Sequence, residues 1–391
     1  MAPSLQSLPN ELKQLIIANI DPAEHPQLYL REISGIRALT NVRLVSKDLC
    51  HNATRSFNAL FEHLTVHLQP RSFLWLAQIA AHEELRKEVK KLSVTIRCFS
   101  PSAAEAIKPP YSGRLNRRVD NLYTKCLEEQ ENSHTFGKNV DSLVNALRSF
   151  ENCHTVSVND DIGLWRGKST RIGADVFNEV FRDSEFDHEL EFNARVFSTL
   201  VEAMSFPDIN VDTFLIECGR PRDSGNFFPK LFSPPSVMNG PYQAAFVNVQ
   251  SLQLQIRFIE ASSGNEDLSF GDTELTTFWH MTPRLEELSL SFDTFYDSHE
   301  AHWRDYLSHM LFDTAMLALK SLTISYLEID STILMGFLLR HGTTFLQLTL
   351  NTAVLENLHS WPPFLCALAD SLALQRLEIT GAHDKIYKVH I

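Results

Sequence analysis

Paired cysteines are missing from this chain. Its six cysteines, at positions 50, 98, 126, 153, 218 and 366, form no C-x-x-C pair and no spacing typical of a zinc site or a disulfide lattice. Scattered single cysteines suit a reducing compartment. No apolar run reaches the roughly 18 residues that a membrane span needs. The opening MAPSLQSLPNELK has neither a basic leader nor a long apolar core, so a secretory signal is not expected. These absences point to a cytoplasmic or nuclear protein that spans no membrane.

Positive charge is also in deficit. The 391 residues carry 48 acidic and 35 basic side chains, a net charge of −13. Nucleic acid is therefore not an expected partner, because phosphate binding requires clustered cations. The two basic runs, Arg86 to Lys91 and Arg114 to Arg118, are interrupted by acidic or neutral residues. They fit solvated faces or loops. Signatures of catalysis are missing too. No G-x-S-x-G elbow occurs. The Gly163-Leu164-Trp165-Arg166-Gly167-Lys168-Ser169 stretch has three residues between its glycines where a phosphate-binding loop has four. His299-Glu300-Ala301-His302 is one residue short of the zincin spacing. His51, His63 and His67 include an i, i+4 pair, but His63 and His67 fall at a predicted strand entrance. Asp160-Asp161 fits a solvated strand end. Neither an enzyme, nor a cofactor, nor a metal site is expected.

What is present begins with three short apolar segments. Pro9 suits the first turn of a helix, where its missing N–H costs nothing. Glu11 favours the positive end of the same helix. Leu12, Leu15, Ile16 and Ile20 then form one apolar stripe. Asp21-Pro22 ends it. Leu39, Val42, Val45 and Leu49 share the face of a second helix. Ser46 can cap a third, running through Ala53 and Phe57. Fewer than about 60 residues of short helices bury little surface by themselves. Their stripes need a second surface, either the domain that follows or another protein.

The three blocks LPNEL with Ile16 and Ile20, VRLVSK, and LFEHLTVHL resemble, in that order, the F-box and its exit into a leucine-rich-repeat domain, as in fungal F-box proteins. Eighteen residues separate Ile20 from Leu39, where the family has a shorter turn. The resemblance implies a three-helix F-box over residues 1–58. It implies that Leu8, Pro9, Leu12, Ile16, Ile20, Val42, Leu44, Val45 and Leu49 face a Skp-type adaptor. Through that adaptor the chain would join a cullin ubiquitin ligase as its substrate-recognition subunit, with no chemistry of its own. The competing class is a plain interaction scaffold, in which these helices only cap the downstream domain.

Residues 59–391 carry a repeated pattern: apolar, two variable, apolar, one variable, apolar. It occurs at Phe61/Leu64/Val66, Val89/Leu92/Val94, Cys153/Val156/Val158, Val211/Phe214/Ile216 and Val249/Leu252/Leu254. It continues at Leu285/Leu288/Leu290, Leu319/Leu322/Ile324, Phe345/Leu348/Leu350 and Leu374/Leu377/Ile379. Most repeats alternate with a predicted helix: 73–90, 140–150, 190–204, 301–317, 332–340 and 363–372. The residues between and just after the last two apolar positions are mostly hydroxyl or amide. They are Thr65/His67, Ser93/Thr95, Ser157/Asn159, Leu215/Glu217, Gln253/Gln255, Ser289/Ser291, Thr323/Ser325, Thr349/Asn351 and Glu378/Thr380. Strands of a doubly wound sheet are apolar on both faces. Strands with one polar face and helices on one side predict an α/β solenoid of irregular leucine-rich-repeat type, its parallel strands on the concave face. Such a face offers many hydrogen bonds to a protein substrate. Insertions are expected over roughly 98–138, 160–188 and 219–240, where long loops are commonly functional or disordered.

Overall fold

The computed structural model describes residues 47–96, 98, 124–125, 127–132, 138–159, 190–217, 239–256, 278–292, 316–326, 328–356, 361–381 and 383–384. Nine strands form one parallel sheet: β1 (His63–Val66), β2 (Lys91–Thr95), β3 (Thr155–Asn159), β4 (Thr213–Glu217), β5 (Ser251–Ile256), β6 (Glu287–Phe292), β7 (Ser321–Ser325), β9 (Gln347–Asn351) and β11 (Arg376–Thr380). Their spatial order is their chain order, with β9 next to β7 and β11 next to β9. The missing numbers belong to three short strands, β8 (Glu328–Asp330), β10 (Val354–Glu356) and β12 (His383–Asp384), which form a second parallel sheet. Eight helices have described bounds: α1 (Lys47–Ala59), α2 (Pro70–Ala81), α3 (Glu83–Glu88), α4 (Lys138–Ser149), α5 (Leu190–Met204), α6 (Asn239–Phe246), α7 (Ser331–Arg340) and α8 (Trp361–Ser371). One strand per repeat, stacked in sequence, is a leucine-rich-repeat-like solenoid.

The apolar pattern sets the register. Leu64, Leu92, Val156, Phe214, Leu252, Leu288, Leu322, Leu348 and Leu377 lie side by side across all nine strands. A slip of one residue would turn every side chain to the wrong face. A backbone device reinforces the alignment. In all but the β2-to-β3 step, one carbonyl per repeat accepts from two successive N–H groups of the next: Glu62 from Lys90 and Lys91, His154 from Asp212 and Thr213, Asp212 from Gln250 and Ser251. The same holds for Gln250, Glu286, Lys320 and Leu346.

The core lies between the sheet and the helices. Leu92, Val94, Val156, Val158, Phe214, Ile216, Leu252 and Leu254 are buried beneath it, and Leu143, Phe197, Leu200 and Phe246 meet them from α4, α5 and α6. Around β4 to β6 the core is aromatic. Phe214 and Phe246 meet edge-on at 5.2 Å, Phe246 and Phe278 at 4.8 Å, and Phe197 and Phe214 at 5.9 Å. Such contacts add to simple area burial.

Local chemistry explains several helix ends. Pro70 opens α2, where no N–H is required. Asp330 caps α7, its carboxylate accepting from the Thr332 N–H at 2.6 Å. His82 breaks the predicted 73–90 helix in two, ending α2 and accepting on Nδ1 from the Leu85 N–H that opens α3. The helix expected over 301–317 lies mostly outside the described residues, and 316–317 are not helical. α6 begins at Asn239, inside the stretch expected to be a loop up to Gly240. At the other end of the described chain, α1 packs on α3. Ala53 and Leu60 are buried there, and the Phe57 and Phe61 rings lie 5.4 Å apart.

The second sheet depends on a repeated corner. Tyr326, Thr352 and Gly381 follow β7, β9 and β11, and all three have positive φ, at 58°, 51° and 61°. The Tyr326 N–H donates to the Asn351 carbonyl and the Thr352 N–H to the Thr380 carbonyl, at 2.8 and 2.7 Å, so each corner hangs on the next repeat. Glycine is at ease in this conformation; a β-branched residue is strained by roughly 1–2 kcal/mol. Thr352→Gly should therefore raise stability by about 0.5–1 kcal/mol, read as a higher denaturant midpoint. A fall in the midpoint would mean that the Thr352 side chain contributes more than its backbone costs.

Candidate functional site

The face of the sheet opposite the helices is the candidate site. Because strand side chains alternate, three rows cross it. The first starts at His63 and runs through Lys91, Thr155, Thr213, Ser251, Glu287, Ser321, Gln347 and Arg376. The middle and last rows hold the polar residues singled out from the sequence. The first row lies outside the sequence pattern, which concerns only residues past the second apolar position of each repeat. Strand alternation alone would have supplied it, since each first-row residue stands two before its middle-row neighbour.

Exposure divides the face. Ser93, Thr95, Ser157 and Asn159, on β2 and β3, are buried, with Thr95 and Ser157 at 0% exposure. Ser93 and Ser157 share a hydroxyl–hydroxyl hydrogen bond of 2.6 Å. Across β5, β6, β7 and β9 the matching residues Gln253, Ser289, Ser291, Thr323, Ser325, Thr349 and Asn351 are half-buried. Lys91 marks the boundary. Its Nζ donates to Glu217 Oε2 at 2.5 Å, reaching from the start of β2 to the end of β4, and both side chains are largely shielded. Partial desolvation, then the Lys91 charge, hold the His63 imidazole below its ordinary pKa, against Glu62 and Glu217.

On the far side the last row is pre-ordered. Asn351 Nδ2 donates to Ser325 Oγ at 3.2 Å, and Thr380 Oγ1 donates to Asn351 Oδ1 at 2.7 Å. Arg376 pairs with Glu378 within β11 at 2.8 Å. The arrangement presents an array of hydrogen-bonding groups. Among the described residues, no three His, Cys, Asp or Glu side chains could jointly hold a metal ion. Burial pushes the Cys153 thiol up to about 12, which leaves it a poor nucleophile. His51 lies exposed on α1, His63 opens β1, and His67 follows it. Asp160-Asp161, Gly163 to Ser169 and His299 to His302 lie outside the described residues.

The predicted adaptor residues Leu8, Pro9, Leu12, Ile16, Ile20, Val42, Leu44 and Val45 also lie outside the described residues; Leu49 lies on α1. No helix among the described residues is long and apolar enough to cross a membrane.

No protein-family model matches the sequence, and no curated protein matches it. Among solved structures it is similar to the leucine-rich repeat-containing protein LegL7 from Legionella pneumophila. The identity is 11%, over 83% of this chain and 91% of that one, with a TM-score of 0.28. The leucine-rich-repeat-like description of the chain rests on its own sheet order and register.

One buried titratable group makes a prediction about the scaffold beneath this face. His341, 3% exposed, follows α7 with its ring 4.6 Å from that of Phe337. Burial first, then the charge of Arg340, lower its pKa from 6.5, against a hydrogen bond to the Met316 backbone. The unfolded chain then binds more protons than the folded one just below that value. Stability should be highest above about pH 6.5 and fall as pH drops toward the lowered folded pKa. Urea midpoints at about pH 7.5 and 5.5 should show the loss, and His341→Asn should flatten it.

Proposed function

We propose that this chain is a non-catalytic substrate receptor, joined to a Skp–cullin–F-box ubiquitin ligase through residues 1–58 and holding a protein substrate on the solenoid. The observation that carries the recognition half is the open strand face: a rigid array of half-buried hydroxyls and amides. The ligase half rests on the resemblance of LPNEL, VRLVSK and LFEHLTVHL to the F-box. The role is positional. Docking raises the effective concentration of a target lysine near the charged ubiquitin carrier. Co-expression with a Skp-type adaptor tests it. A stable co-purifying pair is expected; an adaptor that never co-purifies with intact chain removes the ligase reading.

The second reading is a scaffold whose N-terminal helices serve only as a cap. The packing of α1 on α3, with Ala53 buried, favours it for that helix. The two readings differ over the stripe Leu12, Ile16 and Ile20, which one covers with a partner and the other with the chain itself.

A further inference from the structure

The two ends of the sheet are finished differently. On the first strand, core-facing Leu64 is 4% exposed; on the last, Leu377 in the same row is 44% exposed. Leu374 and Ile379, to either side of it, are only partly covered. β11 also keeps one edge open, because among the described residues it pairs with β9 and no other strand. Two hydrogen bonds fix how its backbone is turned. The Arg376 N–H donates to the Leu346 carbonyl, and the Thr380 carbonyl accepts from the Thr352 N–H. Alternate residues of a strand point their backbone groups to the same edge. Arg376, Glu378 and Thr380 therefore serve β9, while Leu377 and Ile379 aim their N–H and C=O groups outward. Such an edge is a template for another strand.

The side chains decide which strand fits. Arg376 and Glu378 are the charged residues of β11, exposed together on the face away from the core and 2.8 Å apart. A second β11 can lie antiparallel along the first in several two-fold registers. Centred on Arg376, the strands set arginine against arginine. Centred on Glu378, they set glutamate against glutamate. Centred on Leu377, each Arg376 stands opposite Glu378 of the second copy. Opposite charges across two strands stabilise the pair, and like charges destabilise it. The same centre lets each Leu377 N–H donate to the Leu377 carbonyl of the second copy. It also brings the two half-exposed Leu377 side chains together over the open end of the core.

We propose that β11 is a self-association edge, on which a second copy of this chain docks its own β11 antiparallel and centred on Leu377. The two sheets then become one, and the four charges alternate in sign across the junction. This goes beyond the receptor reading and does not rest on it. A contact built on one five-residue strand from each copy is small, so the dimer is weak and forms in the micromolar range. In a lone chain the Leu377 and Ile379 amides stay open to exchange.

Sedimentation of the full chain over a range of concentrations tests this. Single chains are expected below roughly 1 µM and mainly dimers near roughly 100 µM. Glu378→Arg and Arg376→Glu should each weaken self-association by at least about tenfold, because β11 then carries two charges of one sign. Mixing the two variants should restore the dimer, with one chain of each kind. Both positions are exposed, so the melting temperature of each variant should stay unchanged. Hydrogen exchange supplies the second readout: protection of the Leu377 and Ile379 amides should rise with protein concentration. Four results overturn the proposal. They are a chain that stays single up to roughly 200 µM, a dimer that neither variant weakens, a mixture of the two variants that stays single, and protection of both amides at every concentration. The last would mean that the chain covers this edge itself.

Discussion

Phe246→Ala is expected to destabilise the chain by about 3–5 kcal/mol, the cost of emptying a large aromatic site in a packed core. Phe246 is fully buried on α6 and joins two neighbouring repeats: its ring meets Phe214 below β4 and Phe278 ahead of β6. Truncation removes one edge-on contact from each ring, leaving Phe214 with Phe197 alone among the described residues, and opens a void that α6, only eight residues long, must either collapse into or abandon. The urea midpoint measures the loss. Leu339→Ala serves as the control, because Leu339 is 49% exposed and should change stability by no more than about 0.5 kcal/mol. An equal effect of the two substitutions would show that the aromatic column is not a structural core.

Ile16→Asp should abolish co-purification with a Skp-type adaptor while leaving the melting of the solenoid unchanged. If the stripe Leu12, Ile16 and Ile20 docks on the adaptor, the substitution forfeits roughly 1.5–3 kcal/mol of apolar burial. It also carries an unpaired carboxylate into the contact, at a further cost of several kcal/mol. Together these weaken binding by at least about a hundredfold. The result that distinguishes the two readings is unfolding. Should Ile16→Asp lower the melting temperature of the whole chain, the stripe is covered by the chain itself, and the helices cap the solenoid.

Much of the sheet was legible in the sequence. All nine apolar triplets became strands in a single register, because a pattern that alternates apolar and polar residues leaves a strand only one way to face the core. The helix over 190–204 has the expected bounds, since Val196, Phe197, Leu200 and Val201 repeat at helical spacing. Other elements left no such trace. α6 starts within the last two residues of an expected loop, because Asn239, Gly240 and Pro241 are turn formers, although proline is tolerated in a helix's first turn. The break at His82 was invisible because Glu-Glu-Leu-Arg-Lys-Glu continues as a good helix. β8, β10 and β12 are two or three residues long, too short to show a period. Of the site, the hydroxyl and amide rows were legible. The Lys91–Glu217 bridge was not, because it joins residues 126 positions apart and depends on β2 and β4 flanking the same strand, β3.

The single-file order of the strands carries a consequence for how the chain comes apart. Among the described residues β11 pairs with β9 alone, and its core-facing Leu377 is 44% exposed, whereas Leu348 beneath it is fully covered. Each strand leans only on the two beside it, so loosening should begin there and travel inward, one repeat at a time. Amide protons would then exchange along a gradient, fastest at Arg376–Thr380 and slowest around Thr213–Glu217. Unfolding on that pattern resembles a zipper opened from one end more than a single collapse.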